Sequence, residues 1–209
     1  GMFRASYSDH VTFKNCVIPG RQQYGGHSSY NFGAYCVNKI VVDGCIQSNF
    51  WITVDDQGNM HPSTEYTKGA YTSMSTVQIK DDNGKVQKIP MCWGIGGTNF
   101  CKNMEYINSQ LSRFDAHEGL CNGKVINSKV NYLALTGYGD MIIENSYWYQ
   151  CEEDEALIAL RADYGFQWYG DITVKDTKAY LYDTNSKTAP ELVIVGHEYR
   201  NFYFGYTTA

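Results

Sequence analysis

Between Ser112 and Gly119 the chain reads SRFDAHEG, which places an arginine, an aspartate, a histidine and a glutamate within eight residues. A second charged group, Arg161 and Asp163 in LRADYG, and a pair His197–Glu198 follow further on. Hydrolysis of a glycoside needs two carboxyls, about 5 Å apart for retention or about 6.5–9.5 Å apart for inversion. Asp115 with Asp163, or Asp115 with Asp55, would supply such a pair. Glu118 and the run Glu152–Glu155 carry the same group, so residue type alone does not choose between them. Elimination from a uronic acid would instead use a carboxylate cluster holding Ca²⁺ and a base for the proton α to the carboxylate. Arg161 beside Asp163 is the candidate base, and an ion pair is its plainer reading.

No resident metal or cofactor is read from the chain. His117–Glu118 and His197–Glu198 resemble a metal motif only superficially, because neighbours in extended chain point to opposite sides. The acidic run at Glu152–Glu155 reads as a solvated face. Asp115, His117, Arg161 and Asp163 together with Tyr138, Tyr164, Trp168, Tyr169, Asp55 and Glu198 make a set suited to sugars. Aromatic faces stack on pyranose rings while fixed polar groups bond their hydroxyls. The competing reading is that these residues are the polar exits of a repetitive core. If they form an exposed ligand edge, Asp115→Ala and Arg161→Ala leave stability nearly unchanged.

Composition narrows the setting. The 209 residues are 43% hydrophobic, with 18 Tyr, 20 Gly and 4 Pro, a balance that favours strands over helices in one packed domain spanning 1–209. A net charge of −5 without a Lys/Arg block gives no footprint for nucleic acid or an anionic membrane. No apolar run reaches the roughly 20 residues of a membrane span. The opening GMFRASYSDH lacks the basic flank and apolar segment of a signal peptide. Seven cysteines, none in a C-x-x-C pair, read as reduced thiols packed in columns, with Cys36, Cys101 and Cys121 as one such column.

What must position the charged residues is a repeat. Six segments share the form apolar, any, apolar, any, then Asn, Asp or Gly, then Cys, Ser or Thr: Val11–Cys16, Ile40–Cys45, Met104–Ser109, Gly123–Ser128, Met141–Ser146 and Ile172–Thr177, the fourth departing from it with Gly123 in an apolar slot. The alternation predicts a strand and the fifth position a corner. At its tightest the period is 19 and 18 residues, from Asn108 to Asn127 to Asn145. That leaves no room for a crossover helix, so the strands must stack on one another. A second strand set follows at Phe50–Val54, Gln110–Phe114, Asn131–Leu135, Ala156–Leu160 and Glu191–Val195. Aligned on their last apolar residues, these strands put Asp115, Thr136 and Arg161 on one edge. An insertion around 60–93 carries alternating runs on either side of Asn83–Gly84, a hairpin signal. The expected fold is an all-β, right-handed parallel β-helix with an inserted β-hairpin.

The stretches Trp93–Ser128, Leu160–Thr177 and Phe202–Thr207 resemble right-handed β-helix proteins of the pectate-lyase-like superfamily, more narrowly those encoded by phages and prophages of Gram-positive and gut bacteria. The resemblance implies a tail-fibre or tailspike shaft, usually trimeric, that meets a cell-surface polysaccharide. It implies a virion or extracellular location after synthesis in the cytoplasm. Members are often longer, so it also implies that the chain is a segment of a larger protein. No catalytic assignment comes with it. The expected function is a carbohydrate-facing structural or receptor-binding module, with a polysaccharide-degrading enzyme built on the Asp115/His117/Arg161/Asp163 edge as the alternative.

Overall fold

The structure is a computed structural model, and it describes residues 3–18, 32–47, 52–54, 60–62, 76–80, 86–90, 96–111, 113–130, 132–149, 158–160, 167–180 and 193–195. Among the described residues there are strands and turns and no helix. The six signature copies form one parallel sheet, in the order His10–Lys14, Lys39–Asp43, Lys102–Ile107, Leu120–Ile126, Gly137–Glu144 and Ile172–Lys175. The first position aligns throughout, as Val11 faces Ile40, Ile40 faces Met104, Met104 faces Gly123, Gly123 faces Met141 and Met141 faces Ile172.

Three smaller parallel sheets flank this long one. Phe3–Ser6, Phe32–Tyr35 and Gly96–Asn99 form a leading sheet. Val17–Ile18 pairs Ile46–Gln47, and Lys129–Val130, Tyr147–Tyr149 and Lys178–Tyr180 continue that row, joined through Gln110 bridges to Ile46 and Lys129. Arg113–Asp115, Tyr132–Leu135, Ile158–Leu160 and Val193–Val195 form a trailing sheet. Successive repeats thus lie parallel and side by side.

Two pairs are antiparallel. Thr76–Lys80 runs against Val86–Pro90 with Lys80 opposite Val86, the hairpin expected around Asn83–Gly84. Ile52–Val54 pairs Met60–Pro62. That corrects its expected place, since it was to join the parallel row of Phe114, Leu133 and Ile158.

Alternate positions of the long sheet point into the core. Ile40, Val42, Met104, Tyr106, Val125, Met141 and Ile143 are fully buried there, against Phe114, Leu133 and Leu135 of the trailing sheet. The Tyr106 and Phe114 rings meet edge to face at 5.0 Å. Gly123 occupies an apolar slot because a Cβ there would lie 2.6 Å from Met141 Sδ and 2.9 Å from Phe114 Cζ. The large neighbours fill the space that the glycine leaves.

The fifth position is a left-handed corner in every copy, with φ of 54° at Asn15, 63° at Gly44, 50° at Asn108, 48° at Asn127, 49° at Asn145 and 49° at Asp176. Among L-residues Asn and Asp tolerate that conformation best, and glycine does so without a Cβ penalty. The sixth position forms a hydroxyl ladder. Ser109, Ser128 and Ser146 each donate Oγ–H to the carbonyl two residues back, all at 2.8 Å. Each Oγ accepts the N–H of the preceding repeat: Cys45 N to Ser109 Oγ at 3.0 Å, Ser109 N to Ser128 Oγ at 3.1 Å, Ser128 N to Ser146 Oγ at 3.2 Å. Three buried backbone donors are satisfied in this way.

The other cysteine column is not one. Lys102 faces Cys121, while Asn99 faces Tyr35, which sets Cys36 level with Phe100 and Cys101 level with Val37. The three thiols are staggered by one residue each, because the left-handed residues Cys36 and Phe100 sit before the strand and Cys121 within it. Cys16, Cys36, Cys45, Cys101 and Cys121 are all free thiols.

Two outcomes follow from these ladders. Ser128→Ala strands the buried Ser109 N–H and lowers the unfolding free energy by about 1–3 kcal/mol, whereas Cys45→Ser, which extends the ladder, changes it by less than about 1 kcal/mol; urea titration of the variants reads both. Burial raises the Cys45 and Cys101 thiols above the ordinary 9.0. The unfolded chain therefore ionises first, and the stability held at these sites is full below pH 9.0 and declines as pH rises beyond it. Native-state alkylation should reach Cys16, Cys36 and Cys121 before Cys45 and Cys101, and a melting series above pH 9 should show a decline that the Cys45→Ser/Cys101→Ser variant flattens.

Candidate functional site

Asp115 ends the trailing-sheet strand Arg113–Asp115, where Phe114 turns into the core and Asp115 away from it. Asp115 nevertheless has no solvent exposure, and its register partners Ala134 and Ala159 are also buried. Its backbone carbonyl accepts the Thr98 hydroxyl at 3.2 Å. Ala116 N bonds Ala134 O at 2.8 Å and Thr136 N bonds Ala116 O at 3.1 Å, which sets Ala116 level with Leu135. The alignment of Phe114 with Leu135 is corrected by two residues. It is His117, half-buried, that lies level with Thr136.

The stretch is held from both sides. Glu118 N donates to Thr98 O at 3.0 Å, and the Glu118 carboxylate accepts the Asn99 amide. Thr136 Oγ1 donates to Ala116 O at 2.9 Å and accepts Gly119 N at 3.0 Å. Thr98 and Thr136 are themselves fully buried. Asp115–Gly119 is a corner fastened between its two neighbouring repeats. Asp55, Arg161, Asp163, Tyr164 and Glu198 lie outside the described residues.

A different place on the chain is open to a ligand. On the outer face of the long sheet, a hollow of about 290 Å³ lies over Asn103, Glu105, Asn122, Lys124, Asp140 and Ile142, with Met104 and Gly123 also lining it. It exists because the strands bend there. Asn103 and Asn122 are left-handed, with φ of 51° and 64°, and Gly139 at 93° marks the bulge where Cys121 faces Tyr138 but Gly123 faces Met141. A bulge re-aims the flanking side chains.

The amides at this bend form a chain of their own. Asn122 Nδ2 donates to Asn103 Oδ1 at 3.3 Å, Asn103 Nδ2 to Asn38 O at 3.1 Å, and Asp140 N to Asn122 Oδ1 at 3.0 Å. The Glu105 carboxylate lies 3.3 Å from Lys39 Nζ and 3.9 Å from Lys124 Nζ. These groups are fixed donors and acceptors in a small space, which suits a hydroxyl-bearing ligand. Among the described residues no group of three His, Cys, Asp or Glu side chains is placed to hold a metal.

Tyr138 precedes the lining residue Asp140 by two positions on the same strand and is in register with Tyr169 on the neighbouring one. Both residues are exposed, at 54% and 65%. The hydrogen bond and charge of the neighbouring Cys121 thiol raise the Tyr138 phenol above its ordinary value. Trp168 is half-buried, and its indole N–H has no hydrogen-bond partner. The second asparagine column escaped the sequence pattern, although a signal existed: the residue just before the signature is Asn103, Asn122, Asp140 and Asp171 in the last four copies.

Comparison with family models, with curated proteins and with solved structures finds no match. No helix among the described residues is long and apolar enough to cross a membrane.

The two places respond differently to substitution. Asp115→Ala removes a buried polar side chain and lowers the melting temperature by several degrees, a loss of about 1–3 kcal/mol. Glu105→Gln, which breaks two partly exposed ion pairs, costs about 1 kcal/mol or less. Thermal denaturation of the two variants measures the contrast.

Proposed function

We propose that the chain is a right-handed parallel β-helix whose outer face binds a cell-surface polysaccharide, as a structural or receptor-binding part of a phage-like tail fibre or tailspike. The parallel, in-register stacking of six repeats supports the β-helix. The observation that carries the sugar reading is a hollow lined by amides, carboxylates and a lysine, with the exposed Tyr138 on the same strand as its lining residue Asp140. A pyranose ring lies on an aromatic face, and its hydroxyls need both donors and acceptors at fixed positions. Asn103, Asn122, Glu105, Lys124 and Asp140 supply both kinds.

Binding without turnover is the form this takes. The Asp115 carboxyl, at the centre of the hydrolase alternative, is withdrawn from solvent and its neighbours are engaged with adjacent repeats. Support for the particle context comes from the resemblance of Trp93–Ser128 and Leu160–Thr177 to phage-encoded β-helix proteins.

A glycan array identifies the ligand, and titration of variants places it. Tyr138→Ala and Lys124→Ala should each weaken binding by about 1–3 kcal/mol, roughly five- to 150-fold, with melting temperatures unchanged. Reducing-end and unsaturated-product assays on the bound glycan should stay at background. Binding unaffected by both substitutions, or release of oligosaccharide, would overturn the reading.

A further inference from the structure

In the first two signature copies the hydroxyl column is occupied by thiols. Lys14 faces Asp43 and Val17 faces Ile46, and Ile46 N donates to Cys16 O at 2.9 Å, so Cys16 and Cys45 stand level on adjacent parallel strands. A serine would serve the ladder better at both places, because a thiol is the weaker donor and acceptor. Ladder bonding alone therefore does not account for two sulfurs side by side.

The side chains are aimed alike. Both thiols follow a left-handed corner, Asn15 at φ 54° and Gly44 at φ 63°. Cys16 Sγ donates to Lys14 O at 3.3 Å, and Cys45 Sγ lies 3.5 Å from Asp43 O, in each case the carbonyl two residues back. Cys45 Sγ also lies 3.5 Å from Phe13 O, so it leans toward the repeat that carries Cys16. Neighbouring strands of a sheet are about 4.8 Å apart, inside the roughly 4.4–6.8 Å that a disulfide needs between Cα atoms. Burial raises the Cys45 thiol above its ordinary value, and the Cys16 thiol beside it adds to the rise. Cys36, Cys101 and Cys121 lack this placement, since their stagger sets none of the three level with another.

We infer that Cys16 and Cys45 are a thiol pair set to form a disulfide between adjacent repeats when a small-molecule disulfide such as oxidised glutathione acts as the oxidant. Cys16 is half-buried and Cys45 fully buried, which fixes the order of events. The Cys16 thiolate attacks one sulfur of the glutathione disulfide, forming a mixed disulfide and releasing one glutathione thiolate. Cys45 then loses its proton and its sulfur attacks that of Cys16, which closes the Cys16–Cys45 bond and releases the second glutathione thiolate. The two protein thiols give up two electrons and two protons, and the glutathione disulfide takes them up as two thiols. The pairing follows from the register of the two strands and is independent of the polysaccharide reading.

Incubation of the full chain with oxidised glutathione, followed by acid quenching and non-reducing peptide mapping by mass spectrometry, tests it. The Cys16–Cys45 link should form about tenfold faster or more in the folded protein than in urea, where nothing positions the two thiols, and dithiothreitol should remove it. Cys45→Ser should stop at a single glutathione on Cys16, and Cys16→Ser should leave Cys45 unmodified. Both changes put a hydroxyl into the column, and melting temperatures verify that each variant is folded. A folded wild type in which no Cys16–Cys45 link forms, a link that forms no faster than in urea, or a folded Cys16→Ser variant that takes up glutathione at Cys45 would each overturn the inference.

Discussion

Every repeat depends on one backbone event, a single left-handed residue at the end of the long-sheet strand. The chain must leave that strand sharply, and positive φ at Asn15, Gly44, Asn108, Asn127, Asn145 and Asp176 turns it there. The residue after the corner then drops into line with its counterparts, where hydroxyls can reach both their own carbonyl two residues back and the N–H of the repeat before. Without the turn, the sixth position would sit out of column and three buried N–H groups would lose their acceptors. Where the corner residue is Gly44 and has no side chain, the neighbouring Asp43 carboxylate accepts from Asn108 instead.

The same geometry separates the inner and outer faces. Because each copy enters and leaves the strand at fixed points, alternate side chains fall into columns. The inner columns pack Met104, Tyr106, Val125 and Met141 against Phe114 and Leu133. On the outer face the columns gather Glu105, Lys124 and Ile142, which line the hollow. A second left-handed residue inside the strand, at Asn103 and Asn122, bends that face into a hollow. The proposed binding site is thus a consequence of how the strands are shaped.

Much of this was legible from residue order. The six copies align in the structure at the positions their sequence pattern assigns, and the strands on either side of Asn83–Gly84 pair antiparallel. Two things were harder to see. Trailing strands of three or four residues offer few apolar positions for setting a register, so Phe114 was matched to Leu135 when it faces Leu133. Burial was the other, since SRFDAHEG has the composition of a solvated edge, yet Thr98 and Thr136, which fasten it, come from the repeats before and after. Charged residues can be read as accessible only when their neighbours in space are known, and here those neighbours are 17 and 20 residues away.

The central claim is that consecutive copies pair in parallel through the corner. Scalar couplings transmitted across hydrogen bonds, measured by NMR on deuterated protein, test it most directly. They should connect the amide nitrogen of Gly44 to the carbonyl of Ile107, that of Asn108 to Ile126, and that of Asn127 to Glu144, the pairs at 3.0 Å in each case. Couplings that instead linked these nitrogens to one another's strands in an antiparallel pattern, or to carbonyls a residue or more away, would contradict the account.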